Sequence, residues 1–507
     1  MKTARTAHKN SLRATLESQM TLNRHICCAI AILIAGTVAH AQPVDPLRTS
    51  VEQAINTNPE VTARFNAYRA SLDAVDVARA GFLPRLDLNA SVGRDSDRIT
   101  TRIPETQDLN RRQAGLTLTQ LLWDGMGTKN DVSRAGHDRL ARYFELLDTT
   151  EQTALEAARA HFDVQRYRRL VQLAEDNYVQ HRYAYLQIQS RFKAGVGRGV
   201  DLEQAGARVA LAESNLTTEV ANLHDVTARY QRVVGVAPPK NLPVITMLKT
   251  AMPASPADAM NAAVRQSAAV SASIEALRAA RSLADGRKSL YQPRIEARLR
   301  GTAGRNIDAI ADRTRDTAAE IVLNWNLFNG GADQARVRQQ TNLLSQAADL
   351  RDKACRDTRQ TTAIAYNDTR KLVDQLIYLD RNTLAIEKAR DAYRQQFDIG
   401  QRSLLDLLNA ENELYTARRA YANAEYDLGF AYARTHAAMY QLGSQLGVAR
   451  VDNVANDASG WEQGDDAPMR CPVIVAEVPT TDHSELDARA QQLANTAPQP
   501  VPAARKP

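Results

Sequence analysis

The sequence Asn326-Leu327-Phe328-Asn329-Gly330 has a counterpart earlier in the chain, Leu121-Leu122-Trp123-Asp124-Gly125. The offset between these two copies is 205 residues (328 − 123). The same offset relates Phe192-Lys193-Ala194-Gly195 to Phe397-Asp398-Ile399-Gly400 (400 − 195 = 205). Solenoid repeats have far shorter periods, of about 20 to 50 residues. The chain is therefore predicted to be a duplication of one large unit that carries its own strands and helices.

Four segments follow from this repeat and from local composition. Residues 1–41 have the form of a secretory signal peptide, with an apolar run from Ile26 to Ala35 and the small-x-small sequence Ala39-His40-Ala41. A membrane-spanning anchor is the alternative, but this run is shorter than the roughly 20 residues a spanning helix needs. Repeat 1 covers residues 42–240 and repeat 2 covers residues 241–446. Residues 447–507 lack periodicity and are predicted to form a disordered periplasmic tail.

Composition favours long helices over an aromatic-rich globule. The 507 residues are 44% hydrophobic, 24% charged and only 5% aromatic, with a net charge of +6. Residues 1–41 contribute +4, which leaves +2 (6 − 4) for the remainder, so a nucleic-acid-binding surface is not indicated. Beyond residue 41 the cysteines are Cys355 and Cys471. They do not constitute a disulfide framework, and Cys471 is expected to have no structural role.

Each repeat contains two segments in which apolar and polar residues alternate, the pattern of β-strands. The third segment carries Glu296, Arg298 and Arg300 on its polar face, which must therefore meet water, as in the lumen of an outer-membrane barrel. Four strands cannot close a water-filled barrel, so this interpretation requires several chains. A soluble antiparallel sandwich with one wet face is the alternative. The apolar positions are Leu86, Leu88, Ala90 and Val92; Ala114, Leu116 and Leu118; Ile295, Ala297, Leu299 and Gly301; and Ile321, Leu323, Trp325 and Leu327.

Between the strands lie two helical segments of unusual length, at about 128–192 and 332–399, neither of which contains proline. Each is about 65 residues long, which corresponds to about 100 Å of continuous helix. Return helices are predicted over 201–234 and 403–442, and shorter helices over 47–80 and 256–289. Small and apolar residues recur at helical spacing, so the long helices are expected to form antiparallel coiled pairs with water on at least one face.

The order helix, strand, strand, long helix, turn, long helix, present twice, resembles the TolC-like outer-membrane factors over about residues 45–446. The segment from Phe397 to Ala410 is similar to the inner helical turn and periplasmic gate of that family, and Asn326 to Gly331 is similar to its strand-to-helix junction. The resemblance implies an α+β membrane protein. Three protomers would each give four strands to one 12-stranded outer-membrane β-barrel, which continues into a long periplasmic α-helical barrel.

The resemblance also implies a periplasmic gate. Asp406 would form a ring around the closed mouth, with three copies near the axis, and Arg402 and Phe397 would hold the inner helix pair against Asp201 of the other repeat. Asn409 stands where the family often has a second acidic ring.

The residues alone leave another role open for this carboxylate. Ser403 followed three positions later by Asp406 has the form of a helix capping box, and Asp201 has the same alternative.

The tips of the two helical hairpins are predicted at Gly195 and Val196 in repeat 1 and at Gly400 and Gln401 in repeat 2. The resemblance implies that these tips contact a periplasmic adaptor protein. Plain helix-helix turns are the alternative, with glycine in the left-handed conformation. The glycines after Ala194 follow a helix and lack the Gly-Lys-Ser/Thr ending, so a phosphate-binding loop is excluded.

Catalysis has little support in this sequence, because the histidines lack metal-ligand spacing and a Gly-x-Ser-x-Gly elbow is absent. No cofactor and no metal are expected. The resemblance implies a trimeric exit duct, embedded in outer-membrane lipid, for a tripartite export system with a periplasmic adaptor. The strand-to-helix junctions are more similar to the type I protein secretion branch, whose inner-membrane partner is an ABC transporter. Multidrug efflux with an RND pump is the alternative, and a coiled-coil surface structural protein is a remoter one.

Overall fold

The computed structural model describes residues 45–240, 242, 247–307, 311–450, 461, 470–475 and 481–496. The predicted signal peptide lies outside these residues. Two compact units are distinguished, Met1–Thr49 and Ser50–Pro507. Of the first, only residues 45–49 are described, where the first helix begins, and the account below concerns the second.

The helices and strands follow one another in the order that the sequence predicts. In repeat 1 they are α1 (Pro46–Thr57), α2 (Pro59–Arg79), β1 (Arg85–Arg98), β2 (Thr106–Trp123), α3 (Gly127–Lys193) and α4 (Gly199–Val234). In repeat 2 they are α5 (Pro256–Gln266), α6 (Ala268–Arg287), β3 (Arg294–Arg305), β4 (Arg313–Asn324), α7 (Ala332–Asp398) and α8 (Leu404–Ala438). Two short helices follow, α9 (Leu442–Leu446) and α10 (His483–Thr496). The boundaries at residues 240 and 446 stay predictions.

Three elements differ from the predicted ones. The helix predicted over 47–80 is broken at Asn58, whose side-chain oxygen accepts from the Glu60 N–H at 2.9 Å, while Pro59 starts the next helix. The helix over 256–289 is broken in the same way at Ser267, whose hydroxyl accepts from the Val270 N–H at 3.2 Å. β4 ends at Asn324, so Trp325 and Leu327 lie beyond the strand.

The two repeats keep the same spacing in their long helices and differ in their strands. The offset is 205 between the starts of α3 and α7 (332 − 127) and between those of α4 and α8 (404 − 199). Between the starts of β1 and β3 it is 209 (294 − 85), and β2 has 18 residues against 12 in β4. The helical hairpins are thus the part of the unit in which spacing is retained.

The four strands form one antiparallel sheet in the order β1-β2-β3-β4. The register places Leu86 opposite Leu118 and Leu118 opposite Leu299, so apolar side chains of neighbouring strands share a face. Ile321 continues this face on β4 and is 74% exposed. A soluble sandwich would need a second sheet, and the described residues form only this one. The apolar face is therefore free to contact lipid.

The opposite face of the sheet is charged and internally paired. Glu296 accepts from Arg294 at 2.7 Å and from Arg298 at 2.9 Å, and Arg300 lies 3.7 Å from Asp316 on the adjacent strand. Cross-strand pairs of opposite charge stabilise a sheet where water reaches them. This face has the character predicted for a water-filled lumen.

The long helices pack as two hairpins, α3 with α4 and α7 with α8, and α3 also contacts α8. Alanine fills much of the contact surface, with Ala154, Ala157 and Ala158 of α3 almost completely buried. Small side chains let two helix backbones approach closely along their whole length. Each 67-residue helix is about 100 Å long at 1.5 Å per residue. Within the described part of the chain, every helix is too short or too polar to span a membrane.

Part of the C-terminal segment is attached to the helices by a disulfide between Cys355 of α7 and Cys471, with a Cα–Cα distance of 5.4 Å. Trp461 packs against Phe144 with ring centroids 4.7 Å apart, and its indole N–H donates to Glu275 at 2.8 Å. The expectation that Cys471 has no structural role is therefore wrong. The pairing could not be predicted from the sequence because 116 positions separate the two cysteines. The predicted tail also contains the helix α10, while most of its other residues lie outside the described ones.

The disulfide leads to a direct prediction for the non-reduced protein. Trypsin digestion under non-reducing conditions should yield residues 354–356 joined to residues 471–489, because cleavage sites flank both cysteines. Replacing both cysteines by serine should destabilise the fold by about 2 to 5 kcal/mol, since the bond closes a long loop. Mass spectrometry and thermal denaturation test the two parts. Free alkylatable thiols in the unfolded, non-reduced protein would contradict the pairing.

Candidate periplasmic gate

The ends of both helical hairpins have the same backbone geometry. Gly195 and Gly400 adopt left-handed φ values of +78° and +76°. The Val196 N–H donates to the Arg191 carbonyl at 3.1 Å, and the Gln401 N–H donates to the Gln396 carbonyl at 2.8 Å. These bonds satisfy carbonyls that the ends of α3 and α7 would otherwise leave unpaired, and the positive φ values favour glycine.

The tips present apolar side chains outward. Val196 is 79% exposed and Ile399 is 68% exposed. Both stand about 100 Å along the helices from the sheet. The predicted tip residues therefore lie together at the end of the hairpins farthest from the strands.

A single hydrophobic cluster joins the four long helices just above these tips. Phe397 of α7 belongs to one buried cluster with Ile188 of α3, Ala205 of α4 and Leu404 and Leu408 of α8. The Arg191 guanidinium lies 5.2 Å from the centroid of the Phe397 ring. Phe397 thus holds the two hairpins together within one protomer, because its ring is shared by both repeats.

Asp406 has the capping geometry that the residues alone suggest. The Ser403 hydroxyl accepts from the Asp406 N–H at 3.2 Å and donates to the Asp406 carboxylate at 2.9 Å. Its side chain is still 39% exposed. In repeat 1 the corresponding N-cap is Arg198, which makes no side-chain cap bond, so Asp201 lies in the first turn of α4 without this partner. Ser403 is therefore the N-cap of α8 and Asp406 is its side-chain partner, whereas Asp201 has no such partner.

Arg402 contacts its own hairpin within the protomer. Its Nε donates to Gln396 at 3.0 Å, its Nη1 lies 3.6 Å from the Asp406 carboxylate, and its guanidinium stacks 4.8 Å from the Tyr393 ring centroid. Among the described residues of one protomer, no contact joins Arg402 to Asp201. The predicted link between them stays a prediction for the assembled channel.

Asn409 links the repeats in a way that the sequence did not indicate. Its side-chain oxygen accepts from Arg208 of α4 at 2.8 Å. Burial of the His181 ring lowers its pKa to about 4, and the positive charge of Arg208 contributes to this decrease. His181 is therefore neutral near pH 7. The amide at 409 therefore anchors α8 to α4.

A buried charge cluster above the hairpin tips is the main feature that the sequence did not predict. Glu411 is only 7% exposed and accepts from Arg394 at 2.8 Å and from Arg390 at 3.4 Å, while Arg394 also donates to Gln180 of α3 at 2.6 Å. A signal was present, since Glu411 occupies a position in the apolar spacing of α8 between Leu408 and Leu414. A carboxylate at such a position requires cationic partners.

Among the described residues, no cluster of three or more histidine, cysteine or acidic side chains could hold a metal ion.

Comparison with known proteins identifies this arrangement. A family model described as outer membrane efflux protein matches residues 50–235 and 259–439. The chain is 26% identical over 427 residues to the outer membrane efflux protein BepC of Brucella suis biovar 1 (strain 1330), which covers 83% of this chain and 91% of BepC. It is 25% identical over 402 residues to the alkaline protease secretion protein AprF of Pseudomonas aeruginosa, which covers 75% of this chain and 81% of AprF.

Solved structures share the fold. The CmeC outer membrane channel of Campylobacter jejuni superposes with a TM-score of 0.71 at 14% identity, covering 82% of this chain and 89% of CmeC. The MtrE outer membrane channel of Neisseria gonorrhoeae in its open state superposes with a TM-score of 0.65 at 17% identity, covering 78% of this chain and 88% of MtrE.

These matches confirm the predicted fold class, the outer-membrane location and the resemblance to TolC-like outer-membrane factors. They also agree with the prediction of a transport duct rather than an enzyme. The chain therefore belongs to the outer membrane efflux protein family.

Proposed function

We propose that the protein is the trimeric exit duct of a type I protein secretion system, working with a periplasmic adaptor and an inner-membrane ABC transporter. One observation supports the assignment as a duct. A sheet with a lipid-compatible face and a paired, charged face is continuous with helices of about 100 Å, so a wet path would lead from the outer membrane deep into the periplasm.

The choice of protein secretion depends on two further points. The strand-to-helix junctions are similar to those of the secretion branch, and one relative, 25% identical over 402 aligned residues, is named for secretion of an alkaline protease. Multidrug efflux with an RND pump is the second candidate, because BepC is named as an efflux protein and matches a larger share of this chain.

The gate assignment is part of this proposal. Three copies of Asp406 would narrow the periplasmic mouth, and Phe397 with Arg402 would keep the inner hairpins closed. The support is positional: Phe397 belongs to a cluster shared by both repeats at the tip, and the Asp406 carboxylate stays partly exposed even though it accepts from the Ser403 hydroxyl. The exposed tip residues that we propose to contact the adaptor are Gly195, Val196, Gly400 and Gln401.

Deletion of the gene should trap one secreted protein inside the cell and leave other outer-membrane proteins in place. Mass spectrometry of the culture medium, with complementation by the wild-type gene as the control, measures this effect. Intact secretion together with a loss of drug resistance would establish the efflux candidate instead.

Replacing Phe397 by alanine and Arg402 by serine should raise single-channel conductance in planar bilayers, with the trimer intact. The Phe397→Ala change should cost about 3 to 5 kcal/mol of packing energy at the tip, which would favour the open arrangement. Arg338→Ser is the matched control, because Arg338 lies exposed on the same helix about 60 residues from the tip.

Asp406→Ala separates the gate role from the capping role. As a gate residue it should weaken block of the channel by divalent cations. As a cap alone it should lower only the stability of the fold, by about 0.5 to 2 kcal/mol. The gate assignment is contradicted if the Phe397→Ala, Arg402→Ser double variant conducts like wild type and Asp406→Ala leaves the block by divalent cations unchanged.

A further inference from the structure

A cavity of about 260 Å³ lies between the two repeats, next to the buried charge cluster of Glu411. Repeat 1 contributes Asp176, Asn177 and Gln180 of α3 to its lining, and repeat 2 contributes Tyr415 of α8. This inter-repeat cavity has more room than a single buried water needs, because one water takes up about 30 Å³ in the liquid. It is smaller than the roughly 300 to 1,000 Å³ of a drug-sized pocket, so it fits a small organic molecule.

Two polar side chains in this lining are buried without a hydrogen-bond partner. Asn177 is only 7% exposed and Tyr415 only 8% exposed. Across the described part of the chain, no side chain or backbone group bonds to the Asn177 amide or the Tyr415 hydroxyl. Burial raises the pKa of Tyr415, so its hydroxyl stays neutral. Buried polar side chains nearly always have a partner, so a molecule inside the cavity must supply the missing ones.

The arginines that line the inter-repeat cavity are already paired with carboxylates. Arg418 donates to Glu387 at 2.5 Å. Arg390 lies 3.4 Å from Glu411 and 3.1 Å from Asp391. The cavity is therefore not a site for an anion, because each guanidinium group has an acidic neighbour.

Asp176 is the carboxylate in this lining that no cation neutralises. Among the described residues it has neither an ion pair nor a hydrogen bond. Together with their partners, the charged groups around the cavity are three arginines and four carboxylates, a formal charge of −1 (3 − 4). The excess negative charge beside two unpartnered polar groups favours a ligand that is cationic and carries N–H donors.

We propose that the inter-repeat cavity binds a small primary-amine cation, whose ammonium group is held by the Asp176 carboxylate, the Asn177 side-chain oxygen and the Tyr415 hydroxyl oxygen. An ammonium group has three N–H donors, and these residues offer three acceptors. The buried side chains of Leu173 and Leu414 add apolar surface for a short carbon chain. A bound amine would hold the two repeats together, because its partners come from both α3 and α8.

The inter-repeat cavity is separate from the proposed gate residue Asp406. Its α8 part begins at Glu411, five positions further along the helix (411 − 406), which corresponds to about 8 Å. Its α3 part at Asn177 lies 18 positions before Gly195 (195 − 177), which is about 27 Å from the tip. Amine binding therefore does not depend on the gate assignment or on the choice between secretion and efflux.

Isothermal titration calorimetry of the protein in a nonionic detergent with 1,4-diaminobutane, at pH 7 and constant ionic strength, tests the site. Wild type should bind the diamine saturably, and Asp176→Asn with Tyr415→Phe should weaken binding at least 10-fold. The matched control is Glu175→Gln with Tyr378→Phe, which removes one charge and one hydroxyl from exposed positions and should change the affinity less than twofold. Equal loss in both double variants, or no saturable binding by wild type, would overturn the proposal.

The charge requirement is tested with 1,4-butanediol, which has the shape of the diamine without its charge. It should bind wild type at least 10-fold more weakly than the diamine, and equal affinity would refute a cation site.

Two further arms locate the bound amine. Asp406→Asn should bind the diamine within twofold of wild type, because Asp406 lies outside the cavity; loss of binding in this variant would place the amine at the channel mouth and overturn the proposal. Hydrogen exchange followed by mass spectrometry should show slower exchange in residues 173–180 and 411–418 when the diamine is bound. Unchanged exchange in both segments at saturating diamine would contradict the assigned site.

Discussion

A four-stranded sheet with two open edges is the constraint on which the rest of this structure depends. β1 and β4 each leave a row of backbone donors and acceptors unpaired, and one face of the sheet exposes leucine, isoleucine and valine. In a membrane such edges must be paired, because lipid offers the backbone no hydrogen bonds. Neighbouring copies of the chain can supply the missing strands, and the charged face with Glu296 and Arg298 then lines a watery interior.

The helices carry this arrangement into the periplasm. Each strand pair leads directly into a 67-residue helix, and a returning helix packs against it through alanine-rich contacts. Phe397 and the Glu411 cluster join the hairpins of the two repeats near the tips. The proposed gate would therefore open or close through changes in the contacts at the tips, while the helices above remain packed.

Features with a short period in the sequence could be predicted from it. The alternation of apolar and polar residues predicted the strands, and helical spacing without proline predicted α3 and α7. Gly195 and Gly400 predicted the turns at the ends of these helices. Features that join distant positions could not be predicted. The disulfide at Cys355, the bond from Arg208 to Asn409 and the partners of Glu411 all depend on how the repeats pack against each other and the C-terminal segment. Residues such as Asn58 and Ser267, which divide predicted helices, carried a readable capping signal.

The number of chains in the membrane form tests the account most directly. Native mass spectrometry of the protein released from outer-membrane detergent extracts measures it without assuming a shape. The account predicts three copies, because three sheets of four strands are needed to close a wide, water-filled barrel. A monodisperse monomer in mild detergent would contradict it, since the open edges of β1 and β4 would then have no strand to pair with.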